Sequence, residues 1–172
     1  MMDLPEARIV VGPELTADEL FGFYERNNIC EVGFGKEVAA RILDHPHVMV
    51  AAFAGEELVG LARATFDGLS AAIMEFSLDV RWQGRGPDAN GSLMEGDPFG
   101  VGARLGHALL VELEQLGSTF VSGYILERAE EPFYTSIGFA PNEGHLVYII
   151  ARRPYVQRNE AHRSAQSGPD HA

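Results

Sequence analysis

The sequence is poor in the residues that build disulfides and metal sites. Cys30 is the only cysteine among 172 residues, so the chain cannot form an internal disulfide. Because it lies among apolar neighbours, we expect a packed thiol rather than a nucleophile. The six histidines show no ligand spacing with cysteines or carboxylates, which argues against a metal centre. The residue usage therefore disfavours disulfide-stabilised, thiol-dependent and metal-dependent proteins.

Long apolar runs are missing as well. No stretch is long enough to cross a bilayer, and residues 1–6 lack the basic-then-apolar pattern of a signal peptide. With 46% hydrophobic residues, a chain of this length can bury one core but is too short to argue for two. We therefore expect one cytoplasmic domain over residues 1–156. Residues 157–172 are polar without periodic apolar positions, which predicts a disordered C-terminal tail.

Basic residues are scarce. The chain has 13 Lys and Arg against 25 Asp and Glu, which gives a net charge of −12. This balance argues against a nucleic-acid partner, because phosphate contacts need clustered cations. The negative charge fits a cationic acceptor, and it fits equally well an acidic surface that serves solubility alone.

Apolar periodicity predicts an α/β order of strands and helices. Thr16 and Glu19 form a capping-box pattern at the start of a helix, and residues 55–57 separate two apolar runs as a hairpin turn does. The predicted strands are residues 8–11, 48–53, 58–64, 71–78, 120–125 and 145–150, and the predicted helices are residues 16–28, 36–43, 102–116 and 130–136.

A glycine-rich fragment lies between a buried strand and a helical pattern. Residues 83–86 are Gln-Gly-Arg-Gly, and residues 100–102 complete the fragment as Gly-Val-Gly. Glycines in this position let the backbone approach a ligand closely and present free N–H groups to an anion. Taken alone, the loop leaves two alternatives open, a phosphate site and an ordinary glycine-rich turn.

A second fragment, residues 133–139, is Phe-Tyr-Thr-Ser-Ile-Gly-Phe. Together the two fragments resemble the cofactor loop and the catalytic-tyrosine segment of the GNAT superfamily of acyl-CoA-dependent N-acetyltransferases. The resemblance covers residues 8–153. It implies a single α/β (α+β) domain with a mixed, mostly antiparallel central sheet, flanked by helices and splayed where the cofactor enters. A homodimer is left open.

The resemblance implies acetyl-CoA as co-substrate, held mainly by backbone groups. The backbone of Leu78, Asp79 and Val80 would pair with the pantetheine arm like an added strand. Turn amides and the start of the next helix would hold the pyrophosphate, with two arginines adding charge-assisted contacts. These residues are Gln83, Gly84, Arg85, Gly86, Gly100, Val101, Gly102, Ala103 and Arg104. Alternatively, both arginines are solvated surface residues.

The same resemblance implies direct transfer, in which a base frees the amine to attack the thioester and an acid protonates the departing thiolate. Tyr134 is the predicted acid, because a phenol can donate to sulfur at neutral pH; the alternative is a core aromatic. Glu75 is the predicted base. The position that the family usually uses for the base falls on Ala72, three residues earlier in the same predicted strand. Glu75 can therefore act as the base only if a bulge in that strand turns its side chain to the same face. Alternatively, Glu75 points outward or pairs with a cation, and His145 or water is the base.

Three departures from the GNAT pattern affect the cofactor site. Residues 87–100, the inserted segment, interrupt a loop that is normally continuous, and their Pro, Gly, Asn and Asp content predicts a loop, either a lid over the cofactor or part of substrate selection. The segment adds three carboxylates, which weaken polyphosphate binding unless they are compensated. Val80 replaces a common proline, and Glu127 replaces a cofactor-contacting asparagine.

The acceptor stays open between a small-molecule amine and a protein amino group. Its site would lie between residues 21–34 and 142–145, with aromatics as an apolar wall and two carboxylates for a cation; the stronger alternative is that the aromatics pack into the core. The aromatics are Phe21, Phe23, Tyr24 and Phe34, and the carboxylates are Glu25 and Glu31.

Two other functions compete with the acetyltransferase. One is a non-catalytic acyl-CoA-binding or regulatory module, in which the inserted segment, Glu127 and the uncertain base have ended the chemistry. The other is a dinucleotide-binding domain that uses the glycines at positions 100 and 102. That motif should follow a strand directly, and the inserted segment does not have a strand pattern.

Overall fold

The structure is a computed structural model that describes residues 4–29, 34–45 and 47–144. The described residues up to Ala140 form one compact unit, and described residues 141–144 belong to a second. Cys30, His145, the predicted last strand and the predicted tail lie outside the described residues. The domain boundary after residue 156 stays a prediction.

Within the described residues, the first unit contains five strands and four α-helices. They are β1 (Ala7–Val11), α1 (Ala17–Arg26), α2 (Lys36–Leu43), β2 (Val48–Ala54), β3 (Glu57–Phe66), β4 (Ser70–Leu78), α3 (Val101–Gln115), β5 (Phe120–Ser122) and α4 (Glu131–Ser136), with a 3-10 turn (Arg128–Glu130) directly before α4. The strands follow the order β1-β2-β3-β4-β5. Neighbours are antiparallel except β4 and β5, which are parallel. The predicted mixed, mostly antiparallel sheet is confirmed.

Local signals explain where α1 begins and where α3 ends. The Thr16 side chain accepts a hydrogen bond from the Glu19 N–H, and the Glu19 carboxylate accepts one from the Thr16 N–H, so the predicted capping box forms. α3 ends just before Gly117, whose φ of +91° favours glycine. None of the helices in the described ranges has the length and apolar content that a membrane crossing requires.

Helices cover both faces of the sheet. On one face, α3 and α4 bury Leu105, Leu109 and Phe133 in one cluster with strand residues. Those strand residues include Ala62 of β3 and Phe76 of β4. On the other face, α1 and α2 bury a second cluster that includes Phe23. The apolar stripe of each helix thus packs against one side of the pleated strands.

The sheet opens between β4 and β5. β5 is shorter than predicted and pairs only with Ser70–Ala72 of β4, so the second half of β4 has no β5 partner. A bulge lies in the same strand, because Arg63 pairs with Glu75 while the next residue of β3 pairs with Ile73. Met74 is left over and exposed. The bulge therefore occurs where the assignment of Glu75 as base required it.

Candidate active site

The two sequence fragments meet in space beside β4. Gly102, in the first turn of α3, lies so near α4 that a Cβ on it would sit 3.0 Å from Cε2 of Phe133. The ring of Tyr134 stands edge-on to Phe76 of β4, with ring centroids 6.2 Å apart. The helix start, the tyrosine segment and the open stretch of β4 therefore border one region.

Tyr134 is a buried phenol in an aromatic cluster. Its ring also makes edge contacts with Phe133 and Phe139. Burial raises the pKa of Tyr134, and the charge of Glu130 raises it further. No hydrogen bond from its hydroxyl is seen within the described part of the chain. The group thus keeps its proton at neutral pH, as a general acid must.

Glu75 is held by donors from three elements. Its Oε2 accepts hydrogen bonds from the Tyr24 hydroxyl at 2.6 Å and from Nε of Arg63 at 2.8 Å, and its Oε1 accepts one from the Ser77 hydroxyl at 3.1 Å. The side chains of Glu75 and Arg63 are 9% and 19% exposed. Glu75 therefore pairs with a basic side chain, which was one of the alternatives. Burial, and then the Glu75 charge, raises the pKa of Tyr24.

The structure does not bring Glu75 and Tyr134 together. Glu75 faces α1, where it meets Tyr24, whereas the next residue, Phe76, faces the core that holds Tyr134. Successive strand residues point to opposite faces, so the two predicted catalytic groups lie on opposite sides of β4. A substrate that reaches both has to lie in the opening between β4 and β5.

The backbone predicted to pair with pantetheine is already hydrogen-bonded. The Leu78 N–H donates to the Gly91 carbonyl of the inserted segment at 2.9 Å. The Asp79 N–H donates to Val59 O at 2.8 Å, and the Val80 N–H donates to Oδ1 of Asn27 at 3.0 Å. None of these three amides is free to pair with a ligand in this arrangement.

The turn predicted to hold pyrophosphate is closed on itself. The N–H groups of Gln83, Gly84 and Arg85 donate to carbonyls of residues 79, 81 and 80, at 3.1, 3.2 and 2.8 Å. Of the amides at positions 83–86, only that of Gly86 has no hydrogen bond to another described residue. The prediction that these turn amides are free to bind pyrophosphate is thus wrong for residues 83–85, because their N–H groups donate to carbonyls of the same turn.

The start of α3 is also occupied. The N–H groups of Gly102 and Ala103 donate to Oδ1 and Oδ2 of Asp97, at 2.9 and 2.8 Å. Gly100 precedes the helix with φ +67°, and Val101 begins it. Arg104 is exposed and forms no ion pair with any described residue. Asp97 thus takes the position expected for an anionic ligand.

Arg85 is not a free surface arginine. It forms an ion pair with Glu95 at 3.2 Å and donates to the carbonyls of Asn90 at 3.3 Å and Leu93 at 3.1 Å. All of these partners belong to the inserted segment. Two of the three carboxylates that the segment adds, Glu95 and Asp97, are therefore compensated by Arg85 and the α3 amides rather than by a ligand.

Sequence reasoning missed Glu130 and Asn28. The Glu130 carboxylate is 1% exposed and accepts hydrogen bonds from the N–H groups of Met94, Leu126 and Glu127, at 3.0, 3.0 and 3.2 Å. Nδ2 of Asn28 donates to the carbonyls of residues 87 and 89. The only sequence signal for Glu130 is its capping-box spacing from Glu127.

The predicted acceptor wall is largely core. Phe23 and Tyr24 are the buried aromatic residues of α1 and pack into the core, so the alternative of core packing is confirmed for them. Phe21 and Phe34 are half-buried and Glu25 is exposed, whereas Glu31 lies outside the described residues. The dinucleotide alternative fails on topology: the sheet is mostly antiparallel and no strand precedes Gly100 within described residues 79–99.

Comparisons with known proteins find relatives by fold and none by sequence. A scan of protein-family models finds no match for this sequence, and a search of curated proteins finds none either. Solved structures do match. A protein of unknown function from methicillin-resistant Staphylococcus aureus, named a probable acetyltransferase, has a TM-score of 0.64 at 16% identity, over 85% of this chain and 100% of that one.

Two further structures carry a stated activity. A GNAT-family acetyltransferase from Streptococcus pneumoniae has a TM-score of 0.60 at 19% identity, over 86% of this chain and 100% of that one. An aminoglycoside acetyltransferase from an uncultured soil metagenomic sample, solved with sisomicin, has a TM-score of 0.60 at 14% identity, over 86% of this chain and 97% of that one. At these identities the likeness shows the fold: the chain has the fold of GNAT acetyltransferases.

Proposed function

We propose that this protein is an N-acetyltransferase that moves the acetyl group of acetyl-CoA directly to an amine acceptor. The observation that carries the proposal is the meeting of the two fragments beside the open half of β4. Tyr134 packs on Phe76 of β4, and Phe133, the residue before it, packs on Gly102 at the start of α3. A buried, protonated phenol thus borders a helix N-terminus on a GNAT fold.

The two predicted catalytic residues have separate roles in this reaction. The amine nitrogen attacks the thioester carbonyl carbon, and its proton passes to Glu75 directly or through water. The carbon–sulfur bond then breaks, and the thiolate takes the proton of the Tyr134 hydroxyl. Because Glu75 and Tyr134 lie on opposite faces of β4, the reacting carbon would lie at the strand edge between them. His145 stays the reserve base.

The acceptor is proposed as an amine on a small molecule or a protein. One of the structural neighbours is an aminoglycoside acetyltransferase solved with sisomicin. The net charge of −12 favours cationic acceptors over anionic ones. Arg104, exposed in the first turn of α3, is a candidate contact for the cofactor phosphates.

One observation favours the second candidate, a non-catalytic acyl-CoA-binding or regulatory module. The amides of Leu78, Gly102 and Ala103 and the guanidinium of Arg85 all contact the chain's own inserted segment. A regulatory module that binds acyl-CoA weakly would tolerate this occupation of the cofactor groups better than an enzyme that has to turn over. Turnover separates the two candidates, since both predict an acyl-CoA site.

The first experiment compares thermal unfolding without ligand and with saturating acetyl-CoA, coenzyme A or NAD. At a hundredfold excess over the dissociation constant, a ligand adds about 2.7 kcal/mol to the free energy of unfolding, which raises Tm by several degrees. We expect a shift with acetyl-CoA and none with NAD. Thiol release is then measured over a panel of amines that includes sisomicin. Binding without any turnover would favour the non-catalytic module, and no shift with either coenzyme would contradict both candidates.

A further inference from the structure

We propose that the inserted segment is an internal ligand of the acyl-CoA cleft and has to leave the cleft before acetyl-CoA binds. The inference rests on the proposed function, because it takes acetyl-CoA as the competing ligand. Three parts of the segment each occupy a group that the cofactor would use. They are Gly91, Glu95 and Asp97.

Gly91 occupies the edge of β4. Its carbonyl accepts the Leu78 N–H at 2.9 Å and Nε2 of Gln83 at 3.0 Å, and its own N–H donates to Asn27 O at 2.8 Å. A Cβ on Gly91 would lie 2.9 Å from Leu78 O and 2.9 Å from the Asn27 Cβ, so only glycine fits. The segment therefore pairs with the strand end through its backbone, as an extended ligand does.

Asp97 occupies the helix start. Each of its two carboxylate oxygens accepts one α3 amide, from Gly102 and from Ala103. Two anionic oxygens on successive N–H groups at a helix N-terminus is the arrangement that a phosphate adopts. The segment thus supplies an anion of its own, and a pyrophosphate cannot contact the same amides while Asp97 holds them.

Glu95 neutralises the cation that was predicted to contact phosphate, Arg85. It pairs with Arg85, which also donates to two carbonyls of the segment. The arginine predicted to contact phosphate is therefore turned toward a carboxylate of the chain.

Met94 anchors the segment through two further contacts. Met94 is fully buried, and its Cε would lie 2.8 Å from a Cβ on Gly102. Its N–H donates to Oε1 of the buried Glu130 at 3.0 Å. These contacts favour the arrangement in which the segment occupies the cleft. Because acetyl-CoA binds only the molecules whose segment has left, its apparent affinity is the intrinsic affinity multiplied by their fraction.

Displacement is feasible because acetyl-CoA offers a replacement partner at each of the three groups that Gly91, Glu95 and Asp97 occupy. A pyrophosphate supplies anionic oxygens for the α3 amides and for Arg85, and a pantetheine amide supplies a carbonyl for the Leu78 N–H. The burial of Met94, its bond to Glu130, the bond from the Gly91 N–H to Asn27 O and the bonds from Asn28 to the carbonyls of residues 87 and 89 go without a replacement. The segment also contains neither helix nor strand, so its release breaks no regular element.

The test compares Asp97→Asn with Asp88→Asn by titration calorimetry with acetyl-CoA. Both variants remove one negative charge from the segment, but Asp88 is exposed and no hydrogen bond or ion pair of its side chain is seen among the described residues. In Asp97→Asn the side chain keeps one acceptor oxygen and loses the second together with the charge. We expect Asp97→Asn to bind acetyl-CoA about tenfold more tightly than wild type, and Asp88→Asn to stay within about twofold. Glu95→Gln, which removes the ion pair with Arg85 without touching α3, should change affinity in the same direction.

Hydrogen exchange of the wild-type backbone gives a readout that mere relief of charge repulsion does not move. We expect acetyl-CoA to increase exchange across residues 87–100 while it protects the start of α3. Increased protection or unchanged exchange of that segment on binding would overturn the inference and leave the acetyltransferase proposal standing. If neither wild type nor any of the three variants binds acetyl-CoA, both proposals fail.

Discussion

The hydroxyl of Tyr24 in α1 donates a 2.6 Å hydrogen bond to Oε2 of Glu75 in β4, although 51 positions separate the two residues in the sequence. Arg63 donates to the same oxygen from β3. The proposed base is therefore fixed by a buried network that joins a helix to two strands. Oε2 of Glu75 thus accepts from two donors, whereas the one donor to Oε1 among the described residues is the Ser77 hydroxyl.

Tyr24→Phe should destabilise the protein by about 1.5–3 kcal/mol, because a buried carboxylate loses a donor while the ring stays packed. Urea unfolding at pH 7 measures the change. Tyr124→Phe is the matched control: Tyr124 is 64% exposed, and its variant should stay within about 0.5 kcal/mol of wild type. Equal effects of the two substitutions would show that the bond to Glu75 contributes little.

Tyr134→Phe should lower kcat by about a hundredfold or more while acetyl-CoA affinity changes little, since it removes the proposed acid and keeps the aromatic packing. Steady-state thiol release measures kcat and KM, with Tyr124→Phe again as the control. A variant with wild-type kcat would remove Tyr134 from the chemistry.

The pH dependence of the same residue is a separate prediction. Burial, followed by the charge of Glu130, raises the pKa of Tyr134 above the ordinary tyrosine value of about 10. The phenol then stays protonated as pH rises to that value, so loss of its proton should not reduce kcat up to about pH 10. A wild-type kcat that falls with an apparent pKa below 9, in a limb absent from Tyr134→Phe, would contradict this.

Asp79 should make stability depend on pH. Burial raises its pKa, but hydrogen bonds from Arg81 at 2.8 and 2.9 Å and the charge of that arginine outweigh burial, so the pKa of Asp79 is lowered. The stabilisation is present above the ordinary aspartate pKa of about 3.9 and is lost as pH falls through the lowered folded value. Asp79→Asn should therefore cost about 1–3 kcal/mol at pH 7, with a smaller difference from wild type near pH 2.5. Urea unfolding across that range measures it, and a difference that is independent of pH would refute the assignment.

Two glycine substitutions should change the free energy of unfolding in opposite directions. A Cβ on Gly102 would meet Met94 Cε at 2.8 Å, Phe133 at 3.0 Å and Asp97 at 3.2 Å, so Gly102→Ala should destabilise by about 1–3 kcal/mol. Gly22 lies inside α1 with its nearest neighbour at 3.9 Å, so Gly22→Ala should stabilise by about 0.5–1 kcal/mol. Thermal and urea unfolding measure both. Stabilisation by Gly102→Ala would show that the segment does not press on α3.

Local signals sufficed for most of the fold. α2 has its predicted bounds, α1 begins at its predicted cap, and the hairpin between β2 and β3 turns where expected. β5 ends three residues before its predicted end, because strand length there depends on a partner and β4 diverges after Ala72. Apolar periodicity reports which residues are buried and does not report which strand lies alongside.

The site was predictable in its components and unpredictable in its contacts. The glycine fragment and the tyrosine segment were visible in the sequence, and so were the extra carboxylates of the inserted segment. That Asp97 would take the amides of Gly102 and Ala103 was not visible, because a carboxylate near a helix start reads equally as a solvated charge or as a cap. Glu130 gave no signal of burial at all.

What the sequence by itself determined is the order of elements, their caps and the two fragments that resemble a GNAT site, since each depends on residues within a few positions of one another. Only the tertiary structure decided the partners: Tyr24 with Glu75, Leu78 with Gly91, and Met94 with Glu130. Such contacts join residues that are distant along the chain or lie in an irregular loop. They form because buried polar groups have to be satisfied wherever the chain brings them, and no local pattern encodes that outcome.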